Sequence, residues 1–256
     1  EWDSPWGVGF PGWHIECSAM SIKYLGNHFD IHCGGIDHIP VHHTNEIAQS
    51  EPIVGKNWVK YWMHGEFLVL KNEKMSKSKG NFITLKNLIK KGFDPLDYRY
   101  LALNTHYRKR LLFNFDSLES AKNSFEKLKE RVLEIKNNKT KGNDGNKYNK
   151  LFSDSINNDL NIPKALGGLW NLIKDEKVSS KDKYNLIIKF DNVLGLNLKT
   201  IKPIKLEKEI HKLVEERESA RKDKNFKKAD EIREKLFKLG IILEDTKEGI
   251  KWKKKS

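Results

Sequence analysis

From Ser117 onward, Leu118, Ala121, Phe125, Leu128, Val132 and Ile135 recur every three or four residues, with mostly charged or polar residues between them. That period lays one apolar stripe along a helix of about five turns. Such a stripe is unstable in water alone, so the rest of the fold must supply an apolar surface to cover it.

Candidate partners flank it. Leu85, Leu88 and Ile89 predict a helix that stops at Gly92, and Asp94-Pro95 starts another carrying Tyr98, Leu101 and Ala102. Residues 137–150 are rich in Gly, Asn and Lys and read as a flexible linker that buries no core. A second helical block over 151–195 places Ala165, Leu166, Leu169, Trp170 and Ile173 on one side, and together the helices read as an antiparallel bundle. The last segment, 204–256, reads as a unit of its own. Ile210, Leu213 and Val214 mark one helix, and Ala229, Ile232, Leu236 and Leu239 mark a second. Asn225 and Phe226 lie at the bend, Gly240 is a helix stop, and Ile241 to Trp252 reads as a β-hairpin around Glu248-Gly249.

The first 73 residues differ in character, being rich in Gly, His and Trp and alternating short apolar runs with turns. Phe29 to His32 reads as a strand entering a Gly34-Gly35 turn, and Asn45 to Ser50 as a helix body beginning after Pro40. Phe67 to Leu70 reads as a short buried strand. The expectation is an open α/β sheet over 1–83, followed by helical segments at 84–136 and 151–203 and an α+β unit at 204–256.

A net charge of +13 calls for a polyanionic partner, nucleic acid ahead of a membrane surface. No apolar run reaches the length of a membrane span, and no signal-peptide pattern stands at the start. Two cysteines, Cys17 and Cys33, are too few for a disulfide framework and fit a reducing cytoplasm. The chain begins at Glu1 within a polar-to-aromatic run, which raises the expectation of a missing N-terminal part.

Three groups of residues carry chemistry. Six of the nine histidines (His14, His28, His32, His38, His42 and His43) fall between residues 14 and 43, with both cysteines. Within them, His42 and Glu46 are four apart at a helix start and share a face, and Cys17 completes a sulfur, nitrogen and oxygen set that suits Zn²⁺. Hydrogen-bonded histidines around a polar cleft remain the other reading. Three ligands also leave tetrahedral zinc one short. Second, Gly34-Gly35-Ile36-Asp37 permits close ligand approach, with an Asp able to accept ribose hydroxyl protons. Third, Lys74-Met75-Ser76-Lys77-Ser78, followed by Lys79-Gly80-Asn81, reads either as a solvated basic loop or as one that closes over a triphosphate.

The blocks Pro11-Gly12-Trp13-His14-Ile15-Glu16-Cys17-Ser18-Ala19-Met20, Phe29-Asp30-Ile31-His32, His42-His43-Thr44-Asn45-Glu46 through Glu51, and the KMSKS loop closely resemble the cysteinyl-tRNA synthetases. These are class I aminoacyl-tRNA synthetases. The order and intervals agree, and the likeness runs on through Glu215-Glu216-Arg217, Ala229 to Arg233 and Leu243 to Thr246. The resemblance implies that 1–83 is the C-terminal half of a Rossmann-like catalytic domain, 84–136 a helical connection, 151–203 a tRNA-binding bundle and 204–256 an anticodon-binding domain.

It further implies one zinc ion on Cys17, His42 and Glu46 that binds substrate cysteine through its thiolate, with Trp13 and His32 lining the amino-acid pocket. Gly34, Gly35 and Asp37 would meet the adenosine of the adenylate, Lys77 the ATP phosphates, with Lys74 beside it as the other catalytic lysine. Lys251, Trp252 and Lys253 would stack on and neutralise tRNA, the plainer reading of that tail being a solubilising basic terminus. The implied function is cysteine–tRNA ligase: ATP, with Mg²⁺, activates cysteine, which then passes to tRNA(Cys). The implied enzyme is a cytoplasmic monomer.

The sequence departs from the family in five respects. The family's opening strand, first zinc cysteine and HIGH motif have no match, Phe10 stands where Arg often precedes Pro-Gly-Trp-His, and Cys33 occupies the glycine run, where it reads as a packing residue. The expectation is that the chain alone does not activate cysteine. The alternatives are a non-catalytic tRNA-binding remnant, a ligase joining cysteine to an amino sugar, which the 205–256 segment speaks against, and a zinc hydrolase.

Overall fold

A short antiparallel hairpin, β1 (Trp2–Ser4) with β2 (Gly7–Gly9), precedes helix α1 (His14–Leu25) and strand β3 (Phe29–Gly35). These come from a computed structural model that describes residues 1–10, 12–70, 83–202, 208–246 and 249–254. After β3 the chain passes through a 3₁₀ turn (Ile36–His38) and a π-helical turn (Ile39–His43) into α2 (Thr44–Val54), then strand β4 (Val59–Gly65). β3 and β4 pair in parallel from Phe29↔Val59 to Gly35↔Gly65, so α2 belongs to a crossover connection. Aromatic and β-branched residues dominate β4, as suits a pleated surface. A second parallel pair joins β5 (Leu68–Leu70) to β6 (Leu111–Phe113), with α3 (Leu85–Lys90) and α4 (Pro95–Leu103) between them.

The striped helix is α5 (Phe115–Asn137), and all six stripe residues are buried. Its partners are those the stripe demanded. Tyr100 of α4 stacks on Phe125 at 5.4 Å, and the Trp170 indole N–H donates to the Tyr100 hydroxyl at 3.0 Å. Three further helices, α6 (Asn146–Asn157), α7 (Ile162–Lys174) and α8 (Ser180–Leu194), complete the bundle. Phe152 of α6 lies flat on Phe190 of α8, with ring centroids 4.0 Å apart.

The helix starts follow from side chains that satisfy orphan N–H groups. Thr84 with Asn87 and Asp94 with Asp97 form reciprocal capping boxes, and Pro95 occupies the first turn of α4. Asn114, Asn161 and Ser179 each accept from a first-turn N–H of α5, α7 and α8. Replacing Asn114 by Ala should therefore cost about 1 kcal/mol, read as a lower urea midpoint at unchanged slope. An unmoved midpoint would mean that the 2.7 Å bond to Ser117 carries no weight.

Several expectations need correction. Gly34 and Gly35 are the last residues of β3 and not a turn; the bend comes afterwards, in the 3₁₀ segment. Phe67 to Leu70 is half-buried, with Leu68 and Leu70 packing beside the Leu88, Phe113 and Leu118 cluster. The linker does not extend to residue 150, because α6 begins at Asn146. Nor is the segment before α6 without structure. Asn143 bridges Val178, its N–H donates to the Lys177 carbonyl at 2.7 Å, and the Thr140 and Ser180 hydroxyls meet at 2.5 Å. Polar composition does not reveal backbone pairing with a distant loop, and here that pairing meets the hydrogen-bonding demand that a core does not. The helices on either side accordingly lie in one compact unit, Glu1–Lys199.

The second unit is Thr200–Ser256. It holds α9 (Lys208–Lys222), α10 (Phe226–Lys238) and an antiparallel hairpin of β7 (Ile241–Thr246) with β8 (Gly249–Lys254). Ile232, Leu236, Ile241 and Leu243 form its core, with Ile210, Leu213 and Val214 packed against them. Leu239, expected on the core face, is exposed at the helix end, just before Gly240 turns the chain at φ +77°. Among the described residues, no helix is long and apolar enough to cross a membrane.

Candidate metal centre

α1, β3 and the π turn into α2 each bring a donor to the Glu46 carboxylate. His14 and Cys17 stand in the first turns of α1, and His32 lies in the middle of β3. The π turn carries His42 and His43, both buried, and Glu46 follows in the first turn of α2, fully buried. A π turn inside a helical run is uncommon and re-aims the side chains it carries. The i,i+4 spacing puts His42 Nε2 2.6 Å from Glu46 Oε1, as the shared face required. The other carboxylate oxygen, Oε2, accepts from His32 Nε2 at 2.7 Å.

One ligand atom each from Cys17, His42 and Glu46 lies within 4.8 Å of the others. Zinc bonds of about 2.0–2.3 Å let such a trio close on one ion with small side-chain shifts. Glu46 Oε1 supports that fit. It is buried and makes no hydrogen bond among the described residues, although His42 Nε2 is close by. The two atoms are near without being aligned as donor and acceptor, which suits two groups facing a common cation. A buried carboxylate oxygen left unsatisfied costs upward of about 1–3 kcal/mol, which a cation offsets. The sulfur, nitrogen and oxygen donors match zinc's preferences.

The electrostatics agree. Burial pushes the His42 pKa below the ordinary histidine value; Glu46 opposes the shift, and His14, His38 and His32 add to it. A neutral ring keeps a lone pair for a metal. With that lone pair on Nε2, the His42 Nδ1 carries the proton and donates to His14 Nδ1, 2.8 Å away. Burial, then the carboxylates of Glu46 and Glu16, raise the Cys17 thiol, so metal binding there displaces a proton. His43 is driven down to about 4, first by burial and then by His32, His64, His38 and His42. Trp13, half of it open to solvent, stacks on the His42 ring at 3.8 Å and walls the centre.

The remaining candidates fall in different places. Gly34 is required by the histidines: an added Cβ would stand 2.5 Å from His43 Cε1 and 2.8 Å from His38 Nδ1. Gly35 would carry its Cβ into the Asp37 carboxylate, and Asp37 itself is exposed in the 3₁₀ turn. Lys74 and Lys77 lie outside the described residues. Lys251, Trp252 and Lys253 lie on β8, opposite Glu244, Leu243 and Ile242, in the second unit.

Cys33 is not a packing residue. Strand alternation turns it to the face opposite His32, where it is exposed and borders a 360 Å³ pocket with Met63, Ala102, Leu103 and Leu160. The residue sequence reasoning missed is His64. Parallel pairing sets it beside Gly34, and its Nε2 meets His43 Nδ1 at 2.8 Å. The aromatic-rich run Val59 to Gly65 was the signal that could have found it.

The model for the catalytic domain of class I (C) tRNA synthetases matches residues 1–123. That for the cysteinyl-tRNA ligase anticodon-binding domain matches residues 205–252. A cysteine–tRNA ligase of Treponema denticola is 48% identical over 290 aligned positions, covering 99% of this chain and 58% of that protein. The chain belongs to the cysteinyl-tRNA synthetase family.

Other cysteinyl-tRNA synthetases agree. The Brachyspira hyodysenteriae protein is 46% identical, with 99% of this chain and 58% of that one covered. The Burkholderia lata protein is 46% identical, covering 97% and 53%. The chain thus spans a little over half the length of the curated relatives it matches. Among solved structures, a ternary complex of Agrobacterium radiobacter K84 agnB2 LeuRS, tRNA and LeuAMS overlaps 66% of this chain and 26% of that one. Its TM-score is 0.48 at 11% identity, too slight to argue from. The span matched as synthetase catalytic domain contains Trp13, Cys17, His32, His42 and Glu46, and the span matched as anticodon domain ends at Trp252.

Proposed function

We propose that this chain carries the cysteine-selecting metal centre and the tRNA-binding parts of a cysteine–tRNA ligase. The observation that carries the proposal is the convergence of Cys17, His42 and Glu46 under Trp13, with a buried carboxylate oxygen lacking a hydrogen bond. Zinc held by those three would supply a thiophilic Lewis acid, which favours a thiolate substrate over serine, whose hydroxyl is a poor ligand. Around it, Trp13 and His32 bound the amino-acid pocket, and His32 holds the Glu46 carboxylate in place.

Gly34 and Gly35 give the adenosine close access to the backbone, and Asp37 accepts hydrogen bonds from ribose hydroxyls. Lys74 and Lys77 meet the phosphates of ATP, which enters with Mg²⁺, and steady the charge of departing pyrophosphate. A carboxylate oxygen of cysteine bonds to the α-phosphorus of ATP as the bond to pyrophosphate breaks. A 3′-terminal ribose hydroxyl of tRNA(Cys) then bonds to the acyl carbon and AMP leaves. Positioning and electrostatics carry both steps, and no side chain acts as nucleophile. Lys251, Trp252 and Lys253 contact tRNA, to which the net charge of +13 also draws the chain. The setting is the cytoplasm and the form a monomer.

The test is to graft the chain in place of the matching part of the Treponema denticola relative. The hybrid should catalyse cysteine-dependent ATP–pyrophosphate exchange. Lys77→Ala should slow that exchange at least about tenfold with tRNA affinity unchanged, since a phosphate-facing lysine acts on the transition state. A hybrid that binds tRNA with a steep salt dependence but shows no exchange would favour a tRNA-binding role without catalysis.

A further inference from the structure

The histidine cluster holds more donors than one ion uses. One ligand atom each from His32, His43 and Glu46 also lies within 4.8 Å of the others, and this trio shares only Glu46 with the first. The two oxygens of that carboxylate face different ways, Oε1 toward His42 at 2.6 Å and Oε2 toward His32 at 2.7 Å. His43 is held from behind, since its Nδ1 meets His64 Nε2 at 2.8 Å and leaves Nε2 as the nitrogen able to ligate. Its ring lies over His32 with centroids 4.7 Å apart. The cluster is also short of hydrogen bonds: besides Glu46 Oε1, the buried Nδ1 of His38 makes none among the described residues.

We infer that His32, His43 and Glu46 form a second divalent-cation site, bridged to the first through the Glu46 carboxylate and filled when metal is in excess. Two imidazoles and one carboxylate are a donor set for borderline cations such as Zn²⁺ and Co²⁺, with open positions left for water. Carboxylate-bridged ions stand about 3.5–4 Å apart, and one carboxylate with its oxygens turned to opposite sides permits that spacing. Binding exchanges the proton between His32 and Glu46 for the ion. The inference extends the metal-centre reading but stands on a different ligand set.

Titrating the metal-free 256-residue chain with Co²⁺ separates the two sites. The first equivalent should bring a near-ultraviolet thiolate-to-cobalt band from Cys17, and the second only visible ligand-field absorption. Cys17→Ser should then keep one equivalent without the near-ultraviolet band, while His32→Gln and His43→Gln each keep one equivalent with it. Far-UV circular dichroism checks the folds. Should the buried His43→Gln fail to fold, the partly exposed His32→Gln decides. A wild-type chain that saturates at one equivalent overturns the inference, as does a second equivalent that survives both histidine substitutions. A missing near-ultraviolet band would instead count against the Cys17 centre and leave the second site standing.

Discussion

Replacing Glu46 with glutamine should weaken zinc binding by at least about 100-fold, read by competition with a chromophoric chelator. Losing an outer partner of a metal ligand typically costs about 10–100-fold, and Glu46 is argued to be a ligand itself. It is also fully buried and sits between His42 and His32. Glutamine keeps the shape, so the packing at the start of α2 should hold. It removes the negative charge, however, and turns an N–H₂ group toward a cation or toward His42. The loss should therefore appear in zinc affinity and leave the urea midpoint of the metal-free chain within about 1 kcal/mol of wild type. A drop of less than about tenfold would mean that Glu46 only orients the histidines. Because both trios share this carboxylate, the same substitution should also remove the second Co²⁺ equivalent.

That the centre could be sketched from sequence at all rests on local geometry. His42 and Glu46 lie within one turn, so helix spacing alone brings them together. The stripe from Leu118 to Ile135, and Asp94-Pro95 at the start of α4, are local in the same sense, and the structure carries both as read. What stayed hidden is non-local. β4 and β6 pair with strands tens of residues upstream, and no local period announces a parallel partner. His64 arrives through that pairing and fixes His43. Gly34 was read as a turn residue because glycine pairs usually are. Its reason is steric, since the rings of His43 and His38 occupy the space a Cβ would need. Cys33 was assigned to packing for want of the strand register, which turns it outward.

Acid should destabilise the metal-free chain well before its carboxylates protonate, and His43 is the main reason. Its folded pKa of about 4 lies below the ordinary histidine value of 6.5, because burial and four neighbouring imidazoles disfavour its charged form. Below 6.5 the unfolded chain takes up a proton that the folded chain refuses. The contribution of a neutral His43 is thus complete above pH 6.5, shrinks as the pH falls toward 4 and is gone below it. A gap of roughly two and a half pH units corresponds to about 3 kcal/mol. His42 and His64, also shifted down with burial as the leading cause, act in the same direction.

Urea midpoints at pH 7 and pH 4.5 measure the effect. Tryptophan fluorescence suits the purpose, because six of the seven tryptophans lie in the first unit and Trp58, 6.0 Å from the His32 ring, is fully buried. His43→Gln carries no proton at either pH and should lose distinctly less stability over the same interval, so the difference between the two chains isolates the ring. Equal losses would show that His43 is solvated or charged in the fold. Bound zinc should raise the wild-type curve and steepen it, because the folded chain then holds Cys17 deprotonated while the unfolded chain keeps that proton. A curve that zinc leaves unchanged would mean that binding releases no proton, which counts against Cys17 as a ligand.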